Sequence, residues 1–244
     1  VLSRFPTWSV RKPENARADA VCKVGGAPIG WSRDWPVCAL CSLPMSFLGQ
    51  FTGDPLAPRL LPGHTLFLFT CERDSICDFW DPVAGANACV LIPHDELGAH
   101  PTPIPEETPV LLELWVSSWT SRDDGIPAEL EESLHENGRF DELPEDVAFP
   151  HDFDSALLTK AGGAPYWTAN GPYLLDPSDR LVLQLDSWLT VSEGQEALAA
   201  HAENFPGTVQ LEDDAASIAN FCLDGIGFVM THAGEPEIYF MINR

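Results

Sequence analysis

Basic residues are scarce in this chain: 13 lysines and arginines stand against 37 aspartates and glutamates, a formal net charge of −24 over 244 residues. A surface with that balance repels phosphate backbones and anionic headgroups, which excludes nucleic acid and lipid surfaces as direct ligands. No uninterrupted apolar run approaches the length of a spanning helix, so no membrane helix is expected. Arg4, Arg11, Lys12 and Arg17 break up any apolar stretch near the start, and no export-signal core is visible there. The common catalytic signatures are missing too: the chain contains no G-x-S-x-G, no G-x-x-x-x-G-K-[ST], no G-x-G-x-x-G and no HExxH. His94-Asp95-Glu96 and His151-Asp152-Phe153-Asp154 look like fragments of metal or catalytic sites, but no spacing places them on one helical face. They read as solvated loop residues.

What the chain does have is a phrase said twice, Lys23-Val-Gly25-Gly26-Ala-Pro28 and Lys160-Ala-Gly162-Gly163-Ala-Pro165. Each copy is followed by aromatics (Trp31 and Trp35; Tyr166 and Trp167), then by an apolar run with a glutamine near its end, Phe47–Phe51 with Gln50 and Leu181–Leu185 with Gln184. A glycine-led strand-like stretch follows in both, at Gly63–Phe69 and Gly225–Met230. Self-similarity in that order implies two copies of one supersecondary unit. The Gly-Gly pairs read as tight turns or close backbone approaches, and the two glutamines as partners for buried backbone groups where the halves meet.

The expected fold class is α+β: two related β-rich halves with antiparallel sheets packed together and a few helices, all within one unit. Residues 1–20 read as an N-terminal arm or edge element, 21–100 as the first repeat, 101–155 as an acidic connector and 156–244 as the second repeat. Strands are expected at Met45–Phe51, Thr65–Cys71, Ala88–Ile92, Leu111–Trp119, Gly227–Thr231 and Glu237–Ile242. Helices are expected at Ala128–Glu136 and at Glu193–Glu203, the second capped by Ser192 or Thr190.

Seven cysteines and no export signal point to reduced thiols or a metal site in the cytoplasm rather than a disulfide framework. Cys38-Ala-Leu-Cys41 lies between Pro36 and Pro44, and Cys71 and Cys77 follow a strand candidate. Two close pairs on turns are what a four-thiolate zinc site needs, so Cys38, Cys41, Cys71 and Cys77 are the candidate ligands of a structural zinc ion. Ordinary buried thiols are the alternative, and the second copy has no equivalent cysteines. Cys22, Cys89 and Cys222 read as core thiols. A redox role for Cys38 and Cys41 would need a helix starting at the first cysteine, which the surrounding prolines oppose.

The acid is concentrated in the middle, where Asp95–Asp154 holds 17 acidic residues against Arg122 and Arg139. Glu129, Glu131, Glu132, Glu136, Asp141, Glu142, Glu145 and Asp146 form either a solvated face or a docking surface for a basic protein, with Trp115 and Trp119 as aromatic anchors. No catalytic residue is identified.

The string Pro36-Val-Cys38-Ala-Leu-Cys41-Ser-Leu-Pro44-Met45-Ser-Phe47-Leu48-Gly-Gln50 resembles the signature of the YwqG-like bacterial family of unknown function. So do Lys23–Pro28 and Cys77-Asp-Phe-Trp80-Asp81-Pro82 with Gly85-Ala-Asn87; programmed-cell-death-2 proteins are similar through the same Cys-x-x-Cys and Leu-x-x-Gln pattern. The resemblance implies two related β-rich halves, no established enzymatic activity, zinc on the cysteine pairs, and a setting among polymorphic-toxin and type VI secretion loci. The resulting expectation is a non-enzymatic immunity protein that occludes the active site of a basic toxin. A chaperone or assembly factor for a basic client, and a metal-dependent hydrolase of unrecognised type, are the rival readings.

Overall fold

The computed structural model describes residues 1–52, 62–73, 77–137, 145, 155–167, 176, 178–205, 209–221, 225–232 and 238–243. In chain order the strands of the first half are β1 (Leu2–Ser9), β2 (Lys23–Val24), β3 (Ser46–Thr52), β4 (His64–Thr70), β5 (Asn87–Pro93) and β6 (Leu114–Asp123). Helix α1 (Ala128–Asn137) and the single turn α2 (Ser155–Leu158) lead to β7 (Lys160–Ala161), β8 (Arg180–Asp186) and β9 (Trp188–Thr190). Helix α3 (Gln195–Ala202), β10 (Leu211–Glu212), β11 (Ala215–Ser217), β12 (Ile226–Thr231) and β13 (Ile238–Asn243) complete the order.

Ten of these strands form one antiparallel sheet, in the order β13-β12-β8-β7-β1-β6-β2-β3-β4-β5, and β10, β11 and β9 form a small second sheet. The large sheet curls until its edge strands β13 and β5 lie side by side, and Ile242 N–H donates to Trp80 O at 3.1 Å across the seam. Curling covers both faces of the inner strands. All seven residues of β3 are buried, as are six of seven in β4 and in β8, so they do not alternate as half-exposed strands would. Trp31 meets Phe67 and Phe69, and Trp35 meets Phe69, edge-on at centroid distances of 4.8–5.3 Å, and Phe47 packs against Phe67 and Phe69 at 6.5 and 5.5 Å.

The balanced α+β expectation is therefore corrected: the molecule is mostly β, and one continuous sheet replaces two packed ones. The repeated phrase nevertheless has a repeated structure. Lys23 is the register partner of Gln50 in the first half and Lys160 of Gln184 in the second. Gly25 N–H donates to Leu48 O at 2.9 Å, and Gly162 N–H to Val182 O at 3.0 Å. Each glutamine satisfies backbone within its own half: Gln50 accepts from Ile29 N–H at 2.7 Å, while Gln184 accepts from Tyr166 N–H at 2.8 Å and donates to Leu158 O at 2.7 Å.

The sheet order splits into two five-stranded sets that meet at the β1–β6 pair. β1 comes from the start of the chain but lies beside β7, in the set built from the second repeat; it is a central strand, not an arm or an edge. β6, which overlaps the strand expected at Leu111–Trp119, lies beside β2 and completes the first set.

Both repeated lysines are fully buried, and each has its own carboxylate. Lys23 Nζ pairs with Glu113 and donates to Ala27 O at 2.8 Å, while Lys160 Nζ lies 3.0 Å from Asp124 Oδ2. Burial lowers the pKa of both ammoniums, and the facing carboxylates oppose that shift. In α3 the expected hydroxyl cap is not used: Gly194 occupies the cap position with no side-chain hydrogen bond.

Candidate metal centre

Two loops deliver the four expected cysteines to one end of β3 and β4. The first doubles back between Pro36 and Met45, where Met45 N–H donates to Pro36 O at 3.0 Å and Cys38 N–H to Leu43 O at 2.9 Å. Ser42 adopts a left-handed φ of 61° there, and its N–H returns to Cys38 O at 2.9 Å, closing a tight knuckle around the Cys-x-x-Cys. The second loop leaves β4 at Cys71, whose N–H bonds Ala86 O at 2.9 Å, and carries Cys77. Ala39 N–H to Gly85 O at 2.9 Å ties the two loops together.

The four sulfurs lie within 4.8 Å of one another, with Cys41 Sγ and Cys71 Sγ at 3.7 Å. A tetrahedron with metal–sulfur bonds of about 2.3 Å has edges of about 3.8 Å, so the spacing fits a four-thiolate ion. Cys38, Cys71 and Cys77 are buried and Cys41 is half-buried. Burial opposes ionisation of Cys38, but the backbone N–H groups of Cys41 and Leu40 directed at its sulfur hold its thiol below the usual range. Burial pushes Cys71 up to about 11 and raises Cys77 as well. Three buried thiols side by side, two of them resisting ionisation, are a poor apolar core and a good cation site, because a bound metal ion supplies the positive charge that thiolates lack.

Cys22 and Cys89 lie apart, with their thiols raised by burial, as core residues do; Cys222 lies outside the described residues.

The expected docking residues divide. Trp115 is 1% exposed, so it is not a surface anchor; its ring packs under the Lys23 ammonium, 4.6 Å from the centroid. Trp119 is half-buried against the core. Glu129, Glu132 and Glu145 are exposed and Glu131 is half-buried. Asp141, Glu142, Asp146 and the side chain of Glu136 lie outside the described residues, as do His151 to Asp154.

Helix α1 is mounted on the second strand set rather than spanning free solvent. Leu134 and His135 are buried with Trp167, Leu181, Phe228 and Met241 around Leu134. Trp167 Nε1–H donates to Leu134 O at 2.7 Å, and His135 Nε2 accepts from Leu181 N–H at 3.2 Å while Nδ1 faces Glu131 O at 2.9 Å. Glu132 pairs with Arg180 at 2.6 Å. The helix lies where the sequence places it, and its anchoring is signalled only weakly, by a leucine and a histidine at adjacent positions of an acidic segment.

Among the described residues no helix is long and apolar enough to cross a membrane. No family model matches this chain, and no match is found among curated proteins.

Proposed function

We propose that this chain is a non-enzymatic, cytoplasmic protein-binding protein that captures a basic protein partner, acting as an immunity protein that occludes a toxin's active site. The observation that carries the proposal is the α1 surface: Glu129 and Glu132 are exposed, Glu132 beside Arg180, on a helix pinned into the core by Leu134 and His135. A rigidly mounted acidic face on a molecule of net charge −24 favours fast, salt-sensitive association with a cationic surface. The YwqG-like resemblance carried by Pro36–Gln50 belongs to the same proposal. Zinc is the metal we assign to the cysteine site, where four thiolates would complete its usual shell and leave it structural.

The test is affinity capture from the native host at low and moderate salt, using the wild type and a Glu129→Lys/Glu132→Lys variant. One stoichiometric basic protein, toxic when expressed alone, neutralised by the wild type and released by the charge-reversed variant, is the expected result. Recovery of many housekeeping clients would replace immunity with a chaperone role. Capture that is indifferent to salt and to charge reversal would overturn the docking face.

A further inference from the structure

A cleft of about 320 Å³ opens where the first half meets the small sheet, away from α1. Its floor is apolar, formed by Leu112 and Ile218, and its walls include Val110, Leu111 and Val209. At its mouth stands Glu72, whose two carboxylate oxygens accept one backbone N–H between them, that of Asn220 at 3.0 and 3.2 Å. A carboxylate has about four acceptor positions, so most of its hydrogen-bonding capacity is unused. Among the described residues no lysine or arginine forms an ion pair with it, and the guanidinium of its neighbour Arg73 is not bonded to it.

We propose that this cleft binds a primary ammonium group carried on an apolar stem, with the alkyl chain against Leu112, Ile218 and Val209 and the ammonium on Glu72. The charge and the geometry both favour that chemistry over its rivals. An anion would meet the Glu72 carboxylate on a strongly acidic protein. A wholly apolar ligand would bury that carboxylate without a cation or the hydrogen bonds it lacks, a costly arrangement. An ammonium supplies three donors to a group short of them, and the volume lies at the lower end of small-ligand pockets, about 300–1,000 Å³. The same chemistry has two sources, a free alkylamine or a lysine side chain offered by a protein. The site stands on its own observations and does not rest on α1 docking a partner.

Amide NMR titration of the intact protein with n-butylammonium tests the site. The expected result is a saturable shift at the Ser217 and Asn220 amides, none with n-butanol, and at least a tenfold weaker response in Glu72→Gln, which keeps an acceptor for Asn220 N–H. Val209→Trp, which fills the wall with Glu72 intact, is expected to abolish the response, while Glu129→Lys/Glu132→Lys leaves it unchanged. A blocked Gly-Lys-Gly peptide that binds tighter than the free amine identifies a protein side chain as the ligand, and the reverse order identifies a free amine; either supports the site. No saturable shift into the millimolar range, or equal affinity in Glu72→Gln, overturns it.

Discussion

Removing the carboxylate of Asp124 would strand the Lys160 ammonium in the core, since both side chains are fully buried and 3.0 Å apart. Asp124 also accepts from Ser3 Oγ at 2.9 Å and from Ile126 N–H at 3.1 Å, so the loss reaches β1 and the approach to α1. Asp124→Ala is expected to cost about 3–5 kcal/mol in urea unfolding, and the double change with Lys160→Met to recover part of it, because the stranded charge is removed while Ser3 Oγ and Ile126 N–H still lack their acceptor. Asp186 behaves in the opposite sense. Burial raises its carboxyl to about 6 from an ordinary 3.8, against the N–H groups of Trp188 and Ser187. The folded form thus holds that proton more tightly than the unfolded chain does. Its contribution is most favourable below about pH 4 and falls by about 3 kcal/mol as the pH rises past 6. Asp186→Asn is expected to match the wild type near pH 4 and to exceed its stability by about 2–3 kcal/mol at pH 7.5, measured by denaturant unfolding at the two pH values. The repeated lysines were legible as residues, but their counterions were not: Glu113 and Asp124 lie 90 and 36 positions away, inside a tract whose acidity reads as surface.

At the scale of elements, the Gly-Gly turns show how one phrase carries different constraints in its two settings. Gly25 has φ +61°, and a Cβ there would lie 2.0 Å from Leu112 O, in the backbone just before β6. Gly162 has φ +70° and open space around it. Gly162→Ala should therefore cost only the left-handed penalty, about 1–2 kcal/mol, whereas Gly25→Ala must also displace β2 from β6 and should cost several kcal/mol more. Thermal unfolding of the two variants checks the difference; equal losses would mean that the close approach at Gly25 is not maintained. The turns, β3, β4, β5, β12 and β13 were legible because apolar runs are bounded there by glycine, proline and charge, and α1 because a run of helix-forming acidic residues and leucines ends at Asn137-Gly138. β1 was not, for a physical reason. Its sequence Leu-Ser-Arg-Phe-Pro-Thr-Trp-Ser carries Pro6 in mid-strand, which argues against a central position, and the strand accommodates it with a register shift between Thr7 and Trp8.

For the whole molecule, the sheet supplies the core and the four cysteines gather at one end of it. Duplication could be read from the sequence, but the union of the halves into one curled sheet could not, because it depends on β1 and β6 pairing across more than a hundred residues. The cysteine cluster was legible from spacing, since one close pair sits on a turn between Pro36 and Pro44 and the other follows the end of a strand. Removing metal with a chelator is expected to lower the melting temperature and to loosen the turn at Cys38–Cys41, while most of the sheet's circular dichroism persists, because the strands keep their own ladder hydrogen bonds away from the site. A zinc ion held by the four cysteines can be weighed directly. Native mass spectrometry of the protein purified without added chelator should show one zinc ion per chain, lost from the Cys38→Ser/Cys41→Ser variant. A wild-type chain that carries no metal, takes up none from excess zinc and melts at the same temperature with or without chelator would contradict the zinc assignment.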